Sequence, residues 1–344
     1  MSRTGRGTDV TVCRRRCASD THAELLLRGD HWSIEHRVTI QNRRSSNLKV
    51  LWSTIEFEVV ARVLVLGGSG LVGRFLIPRL VEAGYVVVAP SRNPPRRLDC
   101  PGVQWVTLDL GQAEAINELP ESDVVVSMMP IWITAKLCAA MNSARPLRVI
   151  AFSSTSAVTK SDSVDENERQ FSNLLLSGEA DLLALAPRVT STLFRPTMIY
   201  GGPGDRNVSR VAAQLRSFRL FPLVARGVGL RQPVHADDLA AAIVQALAAS
   251  ASEGRTYDLS GSEVLSFRSM VERIGTAIGA RPIFVSIPLS VARTALTAVS
   301  MVPRLREIPR ESVARMGKDM VFDHGLAKQD FGFTPRGFEP TGDQ

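Results

Sequence analysis

Residues 62–94 read RVLVLGGSGLVGRFLIPRLVEAGYVVVAPSRNP, and this stretch constrains the fold more than any other part of the chain. An apolar run, Val63 to Leu66, ends in Gly67, Gly70 and Gly73, which form G-x-x-G-x-x-G. An amphipathic stretch and a second apolar run follow. The pattern is that of strand, tight turn, helix and strand within the length of one βαβ unit. Each glycine has a physical task. The first lets the chain turn sharply, the second lets backbone approach a pyrophosphate, and the third lets the helix start pack closely on the sheet. N–H groups at the helix start then face phosphate oxygens. Gly67, Ser69, Gly70, Leu71 and Gly73 are therefore the candidate dinucleotide contacts. Pro78 inside the helix deletes one i to i−4 bond and is expected to bend it.

The end of the second strand discriminates between dinucleotides. A carboxylate there holds the ribose 2′-OH of NAD, whereas an arginine accommodates the 2′-phosphate of NADP. The chain has Ser91-Arg92 at this point, with Arg96 and Arg97 close behind. NADP is the expected cofactor.

Alternation continues beyond this unit, with predicted strands at Val103 to Leu108, Asp123 to Met128, Arg148 to Phe152 and Thr192 to Phe194. Predicted helices lie between them at Ala113 to Leu119, Trp132 to Ala144 and Arg169 to Ala186. Strands and helices taking turns imply an α/β fold with a doubly wound parallel sheet, here with a small C-terminal substrate domain. Ligands in such sheets bind beyond the carboxyl ends of the strands. Asp109, Leu110, Ser127 to Pro130 with Met128, and Ser153 to Thr155 are thus expected around one cleft. The expected division is an extension over 1–58, a dinucleotide-binding domain over 59–200 and a substrate domain over 201–344.

Charge and composition exclude several classes. The net charge of +7 is unevenly spread: residues 1–58 hold 10 Lys+Arg against 7 Asp+Glu, leaving 31 against 27 for the rest. A body so near neutrality lacks the electrostatic footprint of a nucleic-acid partner. With 44% apolar and 22% charged residues the chain has ordinary globular usage. No apolar run is long enough for a bilayer span. Four scattered cysteines form no disulfide framework, which points to a reducing, cytoplasmic setting. The first 58 residues show no sustained helical or strand period and are expected to be a disordered extension or the product of a start assigned too far upstream. Cys13, Cys17, His31 and His36 come within one residue of a two-Cys, two-His spacing, but the apolar residues such a finger folds around are missing. No metal site is expected.

Taken together, LVLGGSGLVG, the strand-end LDL around Asp109, FSSTSAV at 152–158, RPTMIYGGPG at 195–204, RQPVHADDLA at 231–240, TYDLSG at 256–261 and PRGF at 335–338 resemble the extended and atypical short-chain dehydrogenase/reductases, the NAD-dependent epimerase/dehydratase family. The resemblance covers roughly residues 61–338 and implies nucleotide-sugar epimerase-like chemistry on a bound NAD(P). It gives Thr155 the role of a hydroxyl that polarises the substrate. Arg231 and Thr197 are placed on the substrate side, with Arg231 meeting the phosphates of a nucleotide-sugar. His235-Ala236-Asp237-Asp238 should open a helix.

One part of the family pattern is missing. Members similar to this chain carry Tyr-x-x-x-Lys followed four residues later by Glu, with the Tyr hydroxyl moving a proton and the Lys lowering its pKa. If Glu179 takes the Glu position, Phe171 and Leu175 take the other two. The chain's three tyrosines, Tyr85, Tyr200 and Tyr257, have no lysine four residues on. Lys160 and the carboxylates Asp162, Asp165, Glu166 and Glu168 are the nearby charged groups, read as a solvated loop and helix start. Ser153 and Ser154 are expected to satisfy local backbone, and His235 to serve as a structural hydrogen-bonder. Two function classes follow: an enzyme with a non-standard proton path, or an NADP(H)-binding sensor without turnover. The apolar segment from Pro288 to Arg310 is expected to form a lid helix over the cleft.

Overall fold

The computed structural model describes residues 61–94, 102–112, 115, 118–141, 147–202, 204, 205, 207–288 and 317–342, and the backbone of three strands within the first sixty residues. By its internal contacts the chain divides into two units, residues 1–61 and 62–344. In the first, β1 (His22–Arg28), β2 (His31–Thr39) and β3 (Val50–Glu56) form an antiparallel sheet in the order β1-β2-β3. Short apolar patches broken by charge had given no strand period to read there.

The second unit is built on seven parallel strands. They are β4 (Arg62–Leu66), β5 (Val86–Ser91), β6 (Val103–Thr107), β7 (Val124–Ser127), β8 (Leu147–Phe152), β9 (Val189–Pro196) and β14 (Thr256–Leu259). Their order is β14-β9-β8-β7-β4-β5-β6. Strand order therefore reverses between β4 and β7, and the crevice beyond their carboxyl ends is the place such sheets bind ligands. Fully apolar runs such as Val63 to Leu66 fit a sheet covered on both faces, and side chains alternate between those faces. Val63, Val65, Val87, Ala89, Val126 and Ile150 share one core with α1 (Gly73–Glu82) and α6 (Ala236–Ala248). Leu64, Leu66, Val88, Val125, Val149 and Leu193 share the other with α2 (Ile131–Ala140) and α4 (Glu166–Leu183).

Helix α1 forms because Gly73, Leu76, Ile77 and Leu80 recur at helical spacing and bury one stripe. Pro78 lies within it. Helix α4 begins three residues before the predicted start because the Asp165 side chain accepts from the backbone N–H groups of Asn167 and Glu168, capping it. Between β8 and α4 lies the short α3 (Ser156–Thr159).

A third core lies in the lobe made by α5 (Val208–Ser217), α7 (Phe267–Ala277) and the paired strands β11 (Leu220–Val224) and β16 (Ile283–Ile287). Four short strands in two pairs join this lobe to the rest: β10 (Ile199–Tyr200) pairs with β13 (Val234–His235), and β12 (Leu230–Arg231) pairs with β15 (Leu265–Ser266). The last helix, α8 (Gly325–Phe331), packs Ala327 and Phe331 on the α1–α6 face. Beyond it the tail is clamped: Arg336 donates to Asp238 at 2.8 Å and to Asp237 at 2.7 Å, while Arg79 of α1 holds the other Asp237 oxygen at 2.6 Å. Burial works to raise the Asp237 carboxyl, but the two guanidinium groups outweigh it and hold it below the usual carboxylate range. Among the described residues no helix is long and apolar enough to cross a membrane. The expected lid at Pro288 to Arg310 lies almost wholly outside the described residues, as do Arg96, Arg97, Cys13 and Cys17.

Candidate functional site

The glycine turn has the geometry a phosphate cradle requires. Gly67 has φ +83°, a conformation that side chains other than glycine rarely adopt. Its carbonyl accepts from Gly70 N at 2.9 Å, closing the turn. At Gly73 a Cβ would stand 2.2 Å from the Gly68 carbonyl oxygen, so only glycine lets α1 start against the loop. Gly68, Val72 and Gly73 are buried while Ser69 and Gly70 are exposed, leaving backbone at the helix start open to a ligand. These residues fit a dinucleotide pyrophosphate.

The rest of the predicted rim gathers at the same edge. Ser91, at the end of β5, has its Oγ 3.4 Å from Ser69 Oγ and accepts from Asn93 N at 3.3 Å. Arg92 follows, exposed. Asp109, just past β6, accepts from Gly111 N through Oδ1 at 3.1 Å, with Leu110 half-buried beside it. Met128 continues β7, its N–H donating to the Leu66 carbonyl at 3.0 Å, so that the ends of β4 and β7 are locked together. Ser127 and Thr134 share a buried hydrogen bond of 2.6 Å that ties this strand end to α2.

At the end of β8 the three hydroxyls differ. Thr155 is buried, and its Oγ1 donates to the Pro196 carbonyl at 3.3 Å. Its lone pairs remain available to accept, but its proton is engaged. Ser154 Oγ accepts from Ser156 N, as expected. Ser153 does not behave as expected: its N–H donates to the Phe194 carbonyl at 2.7 Å, but its Oγ is buried with no hydrogen-bond partner.

On α4, Leu175 is buried in the core and Phe171 is 36% exposed, meeting Trp132 edge-on with ring centroids 6.1 Å apart. Gly178 packs against α2 so closely that a Cβ would lie 2.7 Å from Trp132 N. Glu179 forms a two-pronged pair with Arg195 of β9. Lys160 and Glu168 are less solvated than expected, because their side chains pair at 3.2 Å and the ammonium lies over the Phe171 ring. Tyr200 and Tyr257 have their hydroxyls elsewhere: Tyr200 donates to Gly337 O at 3.1 Å and Tyr257 to Asp330 at 2.6 Å.

The substrate-side residues serve largely as internal ties. Arg231 is buried, its guanidinium donating to the carbonyls of Leu230 and Lys318, both at 2.7 Å, and stacked 5.5 Å from the Phe267 ring centroid. Thr197 Oγ1 donates to the Gln232 carbonyl at 2.5 Å. His235 caps α6, Nδ1 accepting from Asp237 N at 3.1 Å. Burial and then Arg336 push its pKa below the ordinary histidine value. Sequence reasoning missed Trp132, which follows the strand-end Pro130 without belonging to a motif.

Residues 63–129 match the NAD dependent epimerase/dehydratase family. The mitochondrial NADH dehydrogenase [ubiquinone] 1 alpha subcomplex subunit 9 of Arabidopsis thaliana is 28% identical over 260 residues, covering 67% of this chain and 61% of that protein. A 2-alkyl-3-oxoalkanoate reductase of Stenotrophomonas maltophilia is 26% identical over 315 residues, covering 80% of this chain and 95% of the reductase. The solved structure of MoeE5 in complex with UDP-glucuronic acid and NAD shares the fold at TM-score 0.60 and 21% identity, covering 80% of this chain and 94% of that one.

Proposed function

Since residues 63–129 match the NAD dependent epimerase/dehydratase family, we propose that the cleft binds NADP(H) and serves reduction or oxidation of a small carbonyl or carbinol substrate without a Tyr-x-x-x-Lys pair. The observation that carries this reading is the cradle at Gly67 to Gly73, where a Cβ at Gly73 would overlap the Gly68 carbonyl. Gly67, Ser69, Gly70, Leu71 and Gly73 would hold the pyrophosphate, Ser91 and Arg92 the adenosine 2′-phosphate, and Asp109, Leu110 and Met128 the remaining edge. When bound, the dinucleotide gives or takes a hydride. Thr155 would accept a hydrogen bond from a substrate hydroxyl, since its own proton is held by the Pro196 carbonyl. A nucleotide-sugar is one substrate class this reading admits, and a 3-oxo acid of the kind named for the bacterial relative is another.

A second reading, an NADP(H)-holding sensor or interaction protein without turnover, is favoured by one observation. Phe171 and Leu175 make α4 a packing helix, with Leu175 buried and Phe171 against Trp132. Fluorescence titration with NADPH and NADH tests the common premise; binding of neither would overturn both readings. Substrate-dependent NADPH oxidation then separates them.

A further inference from the structure

Lys160 follows α3, and its ammonium lies 4.9 Å from the centroid of the Phe171 ring and 3.2 Å from Glu168 Oε1. The Lys160 side chain is 19% exposed and that of Glu168 12%. Glu168 is itself held, accepting from Ser163 Oγ at 3.0 Å. Phe171 is steadied edge-on by Trp132, the second residue of α2. Helix α2 follows directly from β7, and Lys160 follows β8 through α3. The four side chains therefore gather where two neighbouring strands end, and β7 lies beside the strand that carries the glycine turn.

From this arrangement we infer that Lys160 is the proton donor to the substrate oxygen, with Glu168 and Phe171 as its positioning residues. The inference rests on the hydride-transfer reading above. A ring at position 171 has no proton to give, but its π face attracts a cation and orients it. A lysine ammonium has three N–H groups, and the carboxylate and the ring together leave donor capacity for a substrate. A bound dinucleotide would supply the hydride. As the carbonyl carbon gains its C–H bond, the C=O π pair moves onto oxygen, the Nζ–H bond breaks and an O–H bond forms. The neutral amine left behind regains a proton from water, which reaches the partly exposed Nζ.

The test uses the full chain and the variants Lys160→Met and Lys160→Arg. Arginine keeps the charge, the Glu168 pair and the ring contact but is too weak an acid to give its proton up. NADPH oxidation is followed with a panel of 3-oxo acids and their esters. Both variants are expected to lose kcat by about 100-fold or more, the scale of general acid catalysis, with KM little changed. A merely structural lysine would be rescued by arginine, so a Lys160→Arg rate near wild type would overturn the proposal. So would NADPH binding with no turnover of the panel by the wild type, whereas failure to bind NADPH would remove the reading beneath it. A readout without dinucleotide or substrate comes from NMR. The Lys160 CεH2 resonance is expected upfield, shielded by the ring, and should move downfield in Phe171→Leu; an unshifted resonance would place the ammonium elsewhere.

Discussion

Glu179 on α4 and Arg195 on β9 face each other as a two-pronged pair, Arg195 Nε donating to Oε1 at 2.9 Å, with the Glu179 side chain 5% exposed. Removing one partner of such a pair leaves an uncompensated charge. Glu179→Ala is expected to cost about 3 kcal/mol. Arg195→Met should cost more, because burial already pushes the Asp258 carboxyl above its usual range and Arg195 opposes that shift. Urea unfolding midpoints at constant m-value check the order.

Gly73→Ala places a methyl where the Gly68 carbonyl stands. The loop and the start of α1 must separate, at about 1–3 kcal/mol for overpacking. NADPH affinity should fall with it, whereas Gly84→Ala, at the far end of α1, should leave binding intact. Titration alongside denaturation separates the two losses.

Arg92→Ala is expected to weaken NADPH binding by about 10- to 100-fold, the scale of a charge-assisted hydrogen bond, and to leave NADH unchanged. Equal losses for both dinucleotides would place Arg92 outside the 2′-phosphate site.

Leu175→Lys buries an amine among apolar side chains and is expected to cost about 3 kcal/mol or more. Phe171→Tyr, at a partly exposed ring, should stay within about 0.5 kcal/mol. The double variant should gain no dehydrogenase rate over wild type, since Lys160 already supplies the proton and lies over the ring at position 171. Thermal melts and NADP+ reduction test both statements.

Burial holds His235 and His324 below the ordinary histidine pKa. The unfolded chain therefore binds protons first as pH falls. Their contribution is fully present above the unfolded value, about 6.5, and is lost as pH falls through the folded values. Stability measured at pH 7.5 and 5.5 should fall less in His235→Gln than in wild type; an equal fall would remove His235 from the account.

The sheet and cradle were legible because their signals are local: a glycine triplet after an apolar run, and strand-length apolar segments alternating with helical ones. What the letters hid depends on partners far along the chain. Thr155 gives its proton to a carbonyl 41 residues away, and Arg231 is enclosed by the Lys318 carbonyl. Lys160 read as solvated because nothing in the spacing reveals that its stem folds back over Phe171. Strand β9 runs Val189–Pro196, longer than predicted at both ends, because its polar Thr190 and Arg195 find side-chain or cross-strand partners that periodicity cannot register.

Asp237 holds Arg79 of the helix that starts at the glycine turn and Arg336 of the carboxyl-terminal tail in one grip. A pull on the tail is therefore a pull on α1. The same Arg336 guanidinium is anchored to α6 through Asp238, so the tail, the last turns of α1 and the start of α6 form one knot beneath the sheet's ligand edge.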